Sequence, residues 1–597
     1  VKVINSLALS RFLLEDLIPV LAHENAPEQN SRSFAAQRLL ENLTKKLVTE
    51  VSPDADAKAL EKFQAVNDSC GTWELKYERL EDELLFGHLR DVLYKFVNYK
   101  SERAYSSNVF EPVLGCYDQI LDHGDLGPGA SIGADMNDFY TKLFASNLSS
   151  TSEGLYRVYA NYIKKFPDWA AAEEIRRSLL GPSSIVEGNR LTFVPKSDEI
   201  SRVICVEPVL NMFYQQGVKH LLEERLKSFF GIDLEKQQTK NRELARIGSE
   251  RNVRTDFESL DNRLVTIDLS SASDSLGLRM LKNILPRQFL ALLETLRCPY
   301  SKLPNGEKLE LNMISTMGNA FTFPLQTVLF CSVVVACANV ASVPLTSPHG
   351  DRLGNWGVNG DDIICPTIIA GKVIRLLTLL GFVVNSDKTF LEGPFRESCG
   401  ADFHNGVSVR PVFAKELETP QHLYSLINRL NLWSYVTGIP LRKTQGYLHR
   451  HVPRLEVPPW ETADCGIWIP LLDWVKRVYL DSNGTLSYKR WIPRAKKIYI
   501  DTRSESILVP RGRKPIRYNP SGLLIAFLKG HIGSGTLKSG PGRETWPVNF
   551  ISVRSDRIQY QSKVGKAPCW ELNPTMVNPF KDSPGGPDLE RLACGTF

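Results

Sequence analysis

Apolar residues recur at helical spacing through much of the first 180 positions. The runs Ala35–Val51 and Tyr77–Val97 place them three and four apart with charges between, the pattern of amphipathic helices. Gly127-Pro128-Gly129 and Gly181-Pro182 punctuate this region as loops. Arg190 to Lys196 reads as a short strand ending in a basic residue, and helical text resumes over Leu210–Phe229. The period then changes. Leu264-Val-Thr-Ile-Asp-Leu269 is a short apolar run with one carboxylate near its end, as expected of a buried strand. Ser270 to Ser275 is rich in helix-capping residues, and an amphipathic run to Leu285 follows. Trp356 to Cys365 reads as a hairpin turning at Asn359-Gly360, a pair that tolerates positive φ. Gly371–Leu380 is a helix stopped by Gly381, and Phe382–Asn385 is another strand.

Between Leu311 and Gly350 there is no Asp, Glu, Lys or Arg. Ala320–Val343 is long enough to span a bilayer. It carries Thr322, Pro324, Gln326, Thr327, Ser332, Asn339 and Ser342 and lacks a flanking Trp or Tyr belt, so a buried core helix is expected. Arg11, Glu15 and Asp16 interrupt the apolar text of residues 1–24, which makes a poor signal peptide. The 11 cysteines include no C-x-x-C pair, so neither a disulfide framework nor a zinc site is suggested, and a reducing cytoplasm is expected.

A chain of 597 residues is expected to divide into two or three subdomains. The net charge of +5 says little, but its distribution says more. Residues 486–545 hold thirteen Lys or Arg against Asp501, Glu505 and Glu544, the footprint of a polyanion-binding surface. Arg490, Lys496, Arg511, Arg513 and Lys514 are its candidate polyanion contacts, with Tyr488, Trp491, Tyr499, Tyr518 and Trp546 available to stack should the polyanion be a nucleic acid. The Pro- and Gly-rich tail 573–597 is expected to be disordered.

Asp361 and Asp362 are the most informative pair. Adjacent like charges cost energy unless a cation lies between them. With Asp268 at the end of a separate strand they make a hard oxygen site suited to Mg2+. Two such ions about 3.5–4 Å apart can clamp the attacking and leaving oxygens of a phosphoryl displacement. A lone Gly-Asp-Asp turn is also ordinary surface chemistry. What distinguishes this one is its apolar setting, Val358 before and Ile363-Ile364 after, and the motifs around it.

Asp268-Leu-Ser-Ser-Ala-Ser-Asp274-Ser275, Ser315-Thr-Met-Gly-Asn319-Ala-Phe-Thr322-Phe323, Gly360-Asp-Asp-Ile-Ile364 and Gly393-Pro-Phe-Arg-Glu-Ser-Cys-Gly400 follow one another in order. Upstream lie Val194-Pro-Lys196 with Asp198 and Arg202, Glu207-Pro208, Asn211-Met-Phe213 and Gly231-Ile-Asp-Leu234. This series resembles the RNA-directed RNA polymerase of the single-stranded RNA bacteriophages, over roughly residues 185–415. The resemblance implies an α+β right-hand polymerase of fingers, palm (an antiparallel sheet flanked by helices) and thumb. On that reading residues 1–255 are the N-terminal region and fingers, and 256–410 the palm with a finger insertion near 286–312. Residues 411–597 are then the thumb and C-terminal region.

The resemblance also implies roles. Asp268, Asp361 and Asp362 are the metal-holding catalytic residues, taking two Mg2+ ions with Mn2+ able to substitute. Lys388 is the proton donor to pyrophosphate. Lys196 and Arg202 steady the triphosphate. Asp274 and Asn319 recognise the ribose, with Ser315 and Gly318 in the same nucleotide-binding loop. Template and product RNA, NTPs, host elongation factors Tu and Ts and a ribosomal RNA-binding protein are the implied partners. Initiation without a primer, no membrane, and action in the bacterial host cytoplasm complete the picture.

Simpler readings stand beside these. Lys196, Arg202 and Lys388 could be surface charges. Asp274 could be a helix N-cap, as could Asn319 before a helix starting at Ala320. Gly318 would let the backbone approach a base or ribose. The family usually has Tyr where this chain has Asn359. Two rivals are a reverse transcriptase and a catalytically impaired palm serving as an RNA-binding subunit. Small polar residues Ser270 to Asp274 near the first aspartate disfavour the former, and the intact aspartates the latter. A helicase is disfavoured because Gly371-Lys372 and Gly565-Lys566 precede Val and Ala, not Ser or Thr.

Overall fold

The computed structural model describes residues 4–23, 30–48, 51–100, 110–251, 263–469, 479–480, 485–493, 497–501, 506–508, 516–531, 538–540, 543–547 and 560–568. It is a mixed helix and sheet protein, in agreement with the α+β expectation.

At its centre runs the Thr322–Ala341 helix, apolar on every side. Of its most apolar stretch 78% is buried, and it packs on the helices Leu80–Val97, Thr367–Leu379 and Val209–Phe230. The charge-free segment is therefore the core helix that the sequence suggested. A helix without a polar face needs apolar neighbours all round, and these three supply them.

Against this layer lies a three-stranded antiparallel sheet in the order Gly357–Asn359, Asp362–Pro366, Leu264–Ile267. All four residues of Leu264–Ile267 are buried. A second sheet orders Lys308–Glu310, Tyr300–Lys302, Asn189–Pro195 and Ser201–Val206. Residues 300–310 thus leave the neighbourhood of the first sheet and join strands from far upstream, with Asn189 opposite Ser301.

Helix ends follow local chemistry. The Val209–Phe230 helix stops where Gly231 takes φ +75°, and the Ile232 N–H returns to the Leu226 carbonyl. Pro420 opens the Pro420–Thr437 helix behind a Thr419 cap.

Segments far apart in sequence share cores. The helices Ser6–His23 and Ser31–Asn42 share a core with residues drawn from 395–467, including Leu423, Leu430 and Trp433. Backbone bonds sew them together: Ala414 N–H to the Leu43 carbonyl and Val48 N–H to that of Lys415. In the other direction, the Pro520–Leu528 helix packs on Phe139–Phe144 and Pro167–Leu180. Asn519 caps it and bonds the Phe144 and Ala172 carbonyls. Segments from residues 1–255 and 411–597 therefore pack on one another. The tail 573–597 lies outside the described residues.

Candidate active site

Asp268 directly follows the Leu264–Ile267 strand. The ladder's last pair is Ile267 with Ile363, so Asp268 and Asp362 both adjoin it, near enough for the Asp361 and Asp362 charges to act on Asp268. Asn359 pairs with Asp362, leaving Gly360 and Asp361 as the two turn residues. The turn is thus one residue later than Asn359-Gly360. Gly360 alone takes positive φ, +66°, the pattern of a hairpin turn with glycine first. A Cβ on Gly360 would lie 2.4 Å from the Phe323 ring, and the Gly360 N–H donates to Thr327 Oγ1 at 3.1 Å. The core helix thereby sets the height of the hairpin tip.

Each carboxylate has a defined setting. Asp268 Oδ2 accepts from Asn385 Nδ2 at 2.9 Å and has Lys388 Nζ at 3.9 Å. Burial pushes its carboxyl up to about 6. Lys388 and Asn385 oppose that shift, and the charges of Asp361 and Asp362 add to it. Asp362 Oδ1 accepts from the Cys399 N–H at 2.9 Å and Ser398 Oγ at 3.3 Å. Burial also raises Asp362, with Asp361 adding to the effect. Two carboxylates raised by burial, each pushed further by the Asp361 charge at the adjoining turn, make with Asp361 a donor set matched to a hard divalent ion.

The Cys399 contact is built by the backbone. Cys399 and Gly400 take φ +49° and +71° in the tight turn joining Phe395–Ser398 to Ala401–His404. A cysteine rarely adopts that conformation, and here it aims its N–H at Asp362. Asn359 Nδ2 lies 3.5 Å from Cys399 Sγ, and Asn241 donates to the Asp362 carbonyl at 3.2 Å. Asn385, Ser398, Cys399 and Asn241 escaped the sequence reading. Ser398 and Cys399 sat inside a quoted motif, and nothing in that motif marks the Ser398 hydroxyl or the Cys399 N–H as a ligand.

Lys196 and Arg202 lie at the end of the Asn189–Pro195 and Ser201–Val206 hairpin, where Lys196 N–H bonds the Ile200 carbonyl. Burial lowers the Lys196 ammonium, and Arg202, Lys388 and Lys62 lower it further, while Asp268 raises it. Lys196, Arg202 and Lys388 therefore share one electrostatic neighbourhood with Asp268. Lys46 joins from the N-terminal segment, its Nζ 3.8 Å over the Phe413 ring and lowered by burial and by Arg410, Lys415, Lys196 and Lys388.

Asp274 is not an α-helix N-cap. It lies inside the short 3-10 turn Ala272–Asp274, and Gly277 caps the Leu278–Ile284 helix. Its Oδ1 is buried without a partner, and burial pushes the carboxyl up to about 6, the Met317 backbone and Lys62 opposing. Ser315 Oγ is likewise buried and unpartnered. Asn319 precedes the core helix by three residues. That helix begins at Thr322 and not at Ala320, and Asn319 Oδ1 accepts from the Phe321 N–H at 3.0 Å. Gly318 allows a close approach, but to protein: with φ +132°, its Cβ would stand 2.0 Å from the Cys205 carbonyl oxygen. The loop is thereby fastened to the Ser201–Val206 strand, where Cys205 N–H bonds the Met317 carbonyl at 2.8 Å.

Of the basic window's candidate contacts, only Arg490 lies among the described residues. Arg490 lies on the long strand Thr485–Pro493, paired with Tyr560–Pro568. Its Nη1 contacts both Glu461 oxygens, at 2.6 and 2.8 Å, and Tyr488 donates to the same carboxylate. Arg490 is thus held by a buried acid. Lys496, Arg511, Arg513 and Lys514 lie outside the described residues.

Residues 6–453 match the family model described as RNA replicase, beta-chain. The chain is 35% identical over 442 residues to the RNA-directed RNA polymerase beta chain of Enterobacteria phage fr, spanning 72% of this chain and 73% of that one. It is 41% identical over 256 residues to the corresponding chain of Escherichia phage MS2, 43% of each. To the RNA-directed RNA polymerase subunit beta of Escherichia virus Qbeta it is 35% identical over 258 residues, 43% of this chain and 40% of that. Among solved structures, the RNA-dependent RNA polymerase of a human picorbirnavirus aligns over 76% of this chain and 84% of its own, at 11% identity and a TM-score of 0.45.

Proposed function

This chain belongs to the RNA replicase beta-chain family, the RNA-directed RNA polymerases of RNA phages, and from that premise we propose that Asp268, Asp361 and Asp362 are its catalytic centre. The observation that supports the reading is the ladder ending at Ile267 and Ile363, which Asp268 and Asp362 adjoin, with Asp361 at the neighbouring turn.

The three carboxylates would hold two Mg2+ ions, for which Mn2+ could substitute, and a bound pair would supply Lewis-acid activation of the RNA 3′-hydroxyl and charge neutralisation at the departing pyrophosphate. The protein's own part is placement. Asn385 and Cys399 fix the carboxylates of Asp268 and Asp362, so that little reorganisation remains at the moment of reaction. Lys196 and Arg202 take the triphosphate, their mutual repulsion being relieved when an anion lies between them. Asp274, with Ser315 and Asn319 in the facing loop, accepts from the ribose hydroxyls, which the unpartnered Asp274 Oδ1 favours. Lys388 donates a proton to pyrophosphate as it leaves.

On this reading the sheet of Asp268 and Asp362 is the palm, and the sheet of Lys196 and Arg202 belongs to the fingers. Residues after 411, joined by the N-terminal helices, form the thumb. Template RNA follows the basic window, through Lys496, Arg511, Arg513 and Lys514, with Arg490 as a strut beside them. Chains start without a primer, in the host cytoplasm, with elongation factors Tu and Ts and a ribosomal RNA-binding protein as partners.

The test is incorporation of labelled NTPs on a single-stranded RNA template with Mg2+, comparing wild type with Asp361→Asn. Template-dependent product from wild type alone is expected. Equal product from both would remove Asp361 from the mechanism. If both are silent, bacterial extract is added: synthesis by wild type alone then restores the reading, and continued silence overturns it.

A further inference from the structure

His123, His220 and Glu224 form a cluster of metal-competent side chains outside the candidate active site. The short helix Tyr117–Asp122 packs on the Val209–Phe230 helix and ends at His123. There the His123 ring stacks on that of His220, centroids 4.1 Å apart and planes 20° from parallel. His220 Nε2 is 3.2 Å from Glu224 Oε1, one turn further along the same helix. One ligand atom from each of the three lies within 4.8 Å of the other two.

A His and a Glu four apart on a helix are by themselves an ordinary surface pair. The third member changes the chemistry. A second imidazole from a different segment lies against the first; as stacked their in-plane lone pairs run side by side, so binding one ion requires the rings to turn out of the stack until both face Glu224. Spacing of i and i+4 sets two donors on one helix face, and His123 closes the third side. Solvent reaches the group, since the His220 and Glu224 side chains are 45% and 61% exposed. The neighbouring cation is otherwise engaged: Lys529 Nζ donates to the Gly124 carbonyl at 2.9 Å.

We propose that His123, His220 and Glu224 bind a borderline divalent transition-metal ion of the Zn2+ class, which fastens the chain after Tyr117–Asp122 to the Val209–Phe230 helix. Two imidazoles and one carboxylate favour Zn2+, Co2+ or Ni2+ over Mg2+, which prefers oxygen ligands and keeps its waters. The site is therefore selective against the ion that the aspartates take. Three protein ligands leave a fourth position to water. Its role is structural, because the ion ties together two elements distant in sequence and stabilises the state in which they touch.

The experiment compares the full chain with His123→Ala and His220→Ala. Each protein is stripped with chelator, then dialysed into micromolar Zn2+ under excess Mg2+ to cover the aspartates. Bound zinc is measured by atomic emission, and melting temperature with and without Zn2+. Cysteines, including the exposed Cys116, are kept in all three proteins so that their contribution cancels. Each variant is expected to bind one zinc fewer than wild type and to lose the Zn2+-dependent rise in melting temperature. Equal melting temperatures in chelator establish that the variants are folded. Should a variant melt lower there, Glu224→Gln at the more exposed ligand takes its place. Co2+ gives a second readout, a visible absorption band present in wild type and lost in the variants. Equal zinc content and equal Zn2+ response in folded wild type and variants would overturn the proposal.

Discussion

Asn385 holds Asp268 twice: its backbone N–H donates to the Asp268 carbonyl and its side-chain amide to Asp268 Oδ2, both at 2.9 Å. The first bond fixes the strand end and the second fixes the carboxylate. Asn385→Ala removes only the second. It takes away a donor that favours the charged form, so the already raised Asp268 carboxyl moves further up. We expect polymerisation to fall about tenfold, roughly 1.4 kcal/mol of transition-state stabilisation. The Mg2+ concentration for half-maximal rate should rise. Rates measured across a Mg2+ titration check this, and an unchanged curve would sink it.

Gly360→Ala meets two obstacles, a positive φ and the Phe323 ring 2.4 Å from the new methyl. Together they should cost about 1–3 kcal/mol of stability and most of the activity. Phe323 is partly exposed, so Phe323→Ala is tolerated and removes the steric share. The double variant should recover part of the lost stability in a denaturant titration and keep the backbone share, about 1 kcal/mol. Strict additivity of the two substitutions would mean that the ring does not set the turn.

Asp274 gives a pH signature. Its folded value of about 6 lies above the ordinary 3.8, so on acidification the native state takes up the proton first. The stability linked to this group is fully present below pH 3.8 and is lost as pH climbs through 6. Asp274→Asn escapes that loss. Above pH 6 the variant should be the more stable, by on the order of 1–2 kcal/mol after solvent screening, with the gap closing below pH 4. Unfolding curves across this range test it. If Asp274 also reads the ribose, the same variant discriminates NTP from dNTP less well.

Arg490 should behave as a strut. Removing it leaves Glu461 buried beside Tyr488 without its ion partner, so Arg490→Ala is expected to lower stability by about 2–4 kcal/mol. The salt dependence of RNA binding should not change. By contrast, each phosphate-contacting cation removed from Lys496, Arg511, Arg513 and Lys514 should reduce the slope of log K against log salt by about one. Filter binding at several salt concentrations separates the two behaviours.

Much of the centre was legible because it is local. The strand at Leu264, the hairpin at Gly360 and the helix over Leu210–Phe229 each write their period into consecutive residues, and each forms within a residue or three of its expected bounds. What escaped depends on distant partners. Asp274 looked like a cap because serines surround it, and only the fold shows its oxygen buried in a 3-10 turn. Gly318 signalled a close approach without naming its neighbour, which is the Cys205 carbonyl. His123 and His220 are unremarkable until two helices bring their rings together. The packing of the N-terminal helices on residues beyond 395 was hidden for the same reason, since amphipathic helices record that a face is covered and not by which segment.

The exchange of segments between the two regions has a consequence for synthesis. Residues 4–47 leave the ribosome long before residues 409–467, with which they share a core. At ~5–20 residues per second they wait tens of seconds with an apolar face uncovered. The Pro520–Leu528 helix arrives later still to cover Phe144 and its neighbours. A nascent chain halted between the two events would hold all three aspartates yet lack a finished scaffold, so translation itself times the appearance of polymerase.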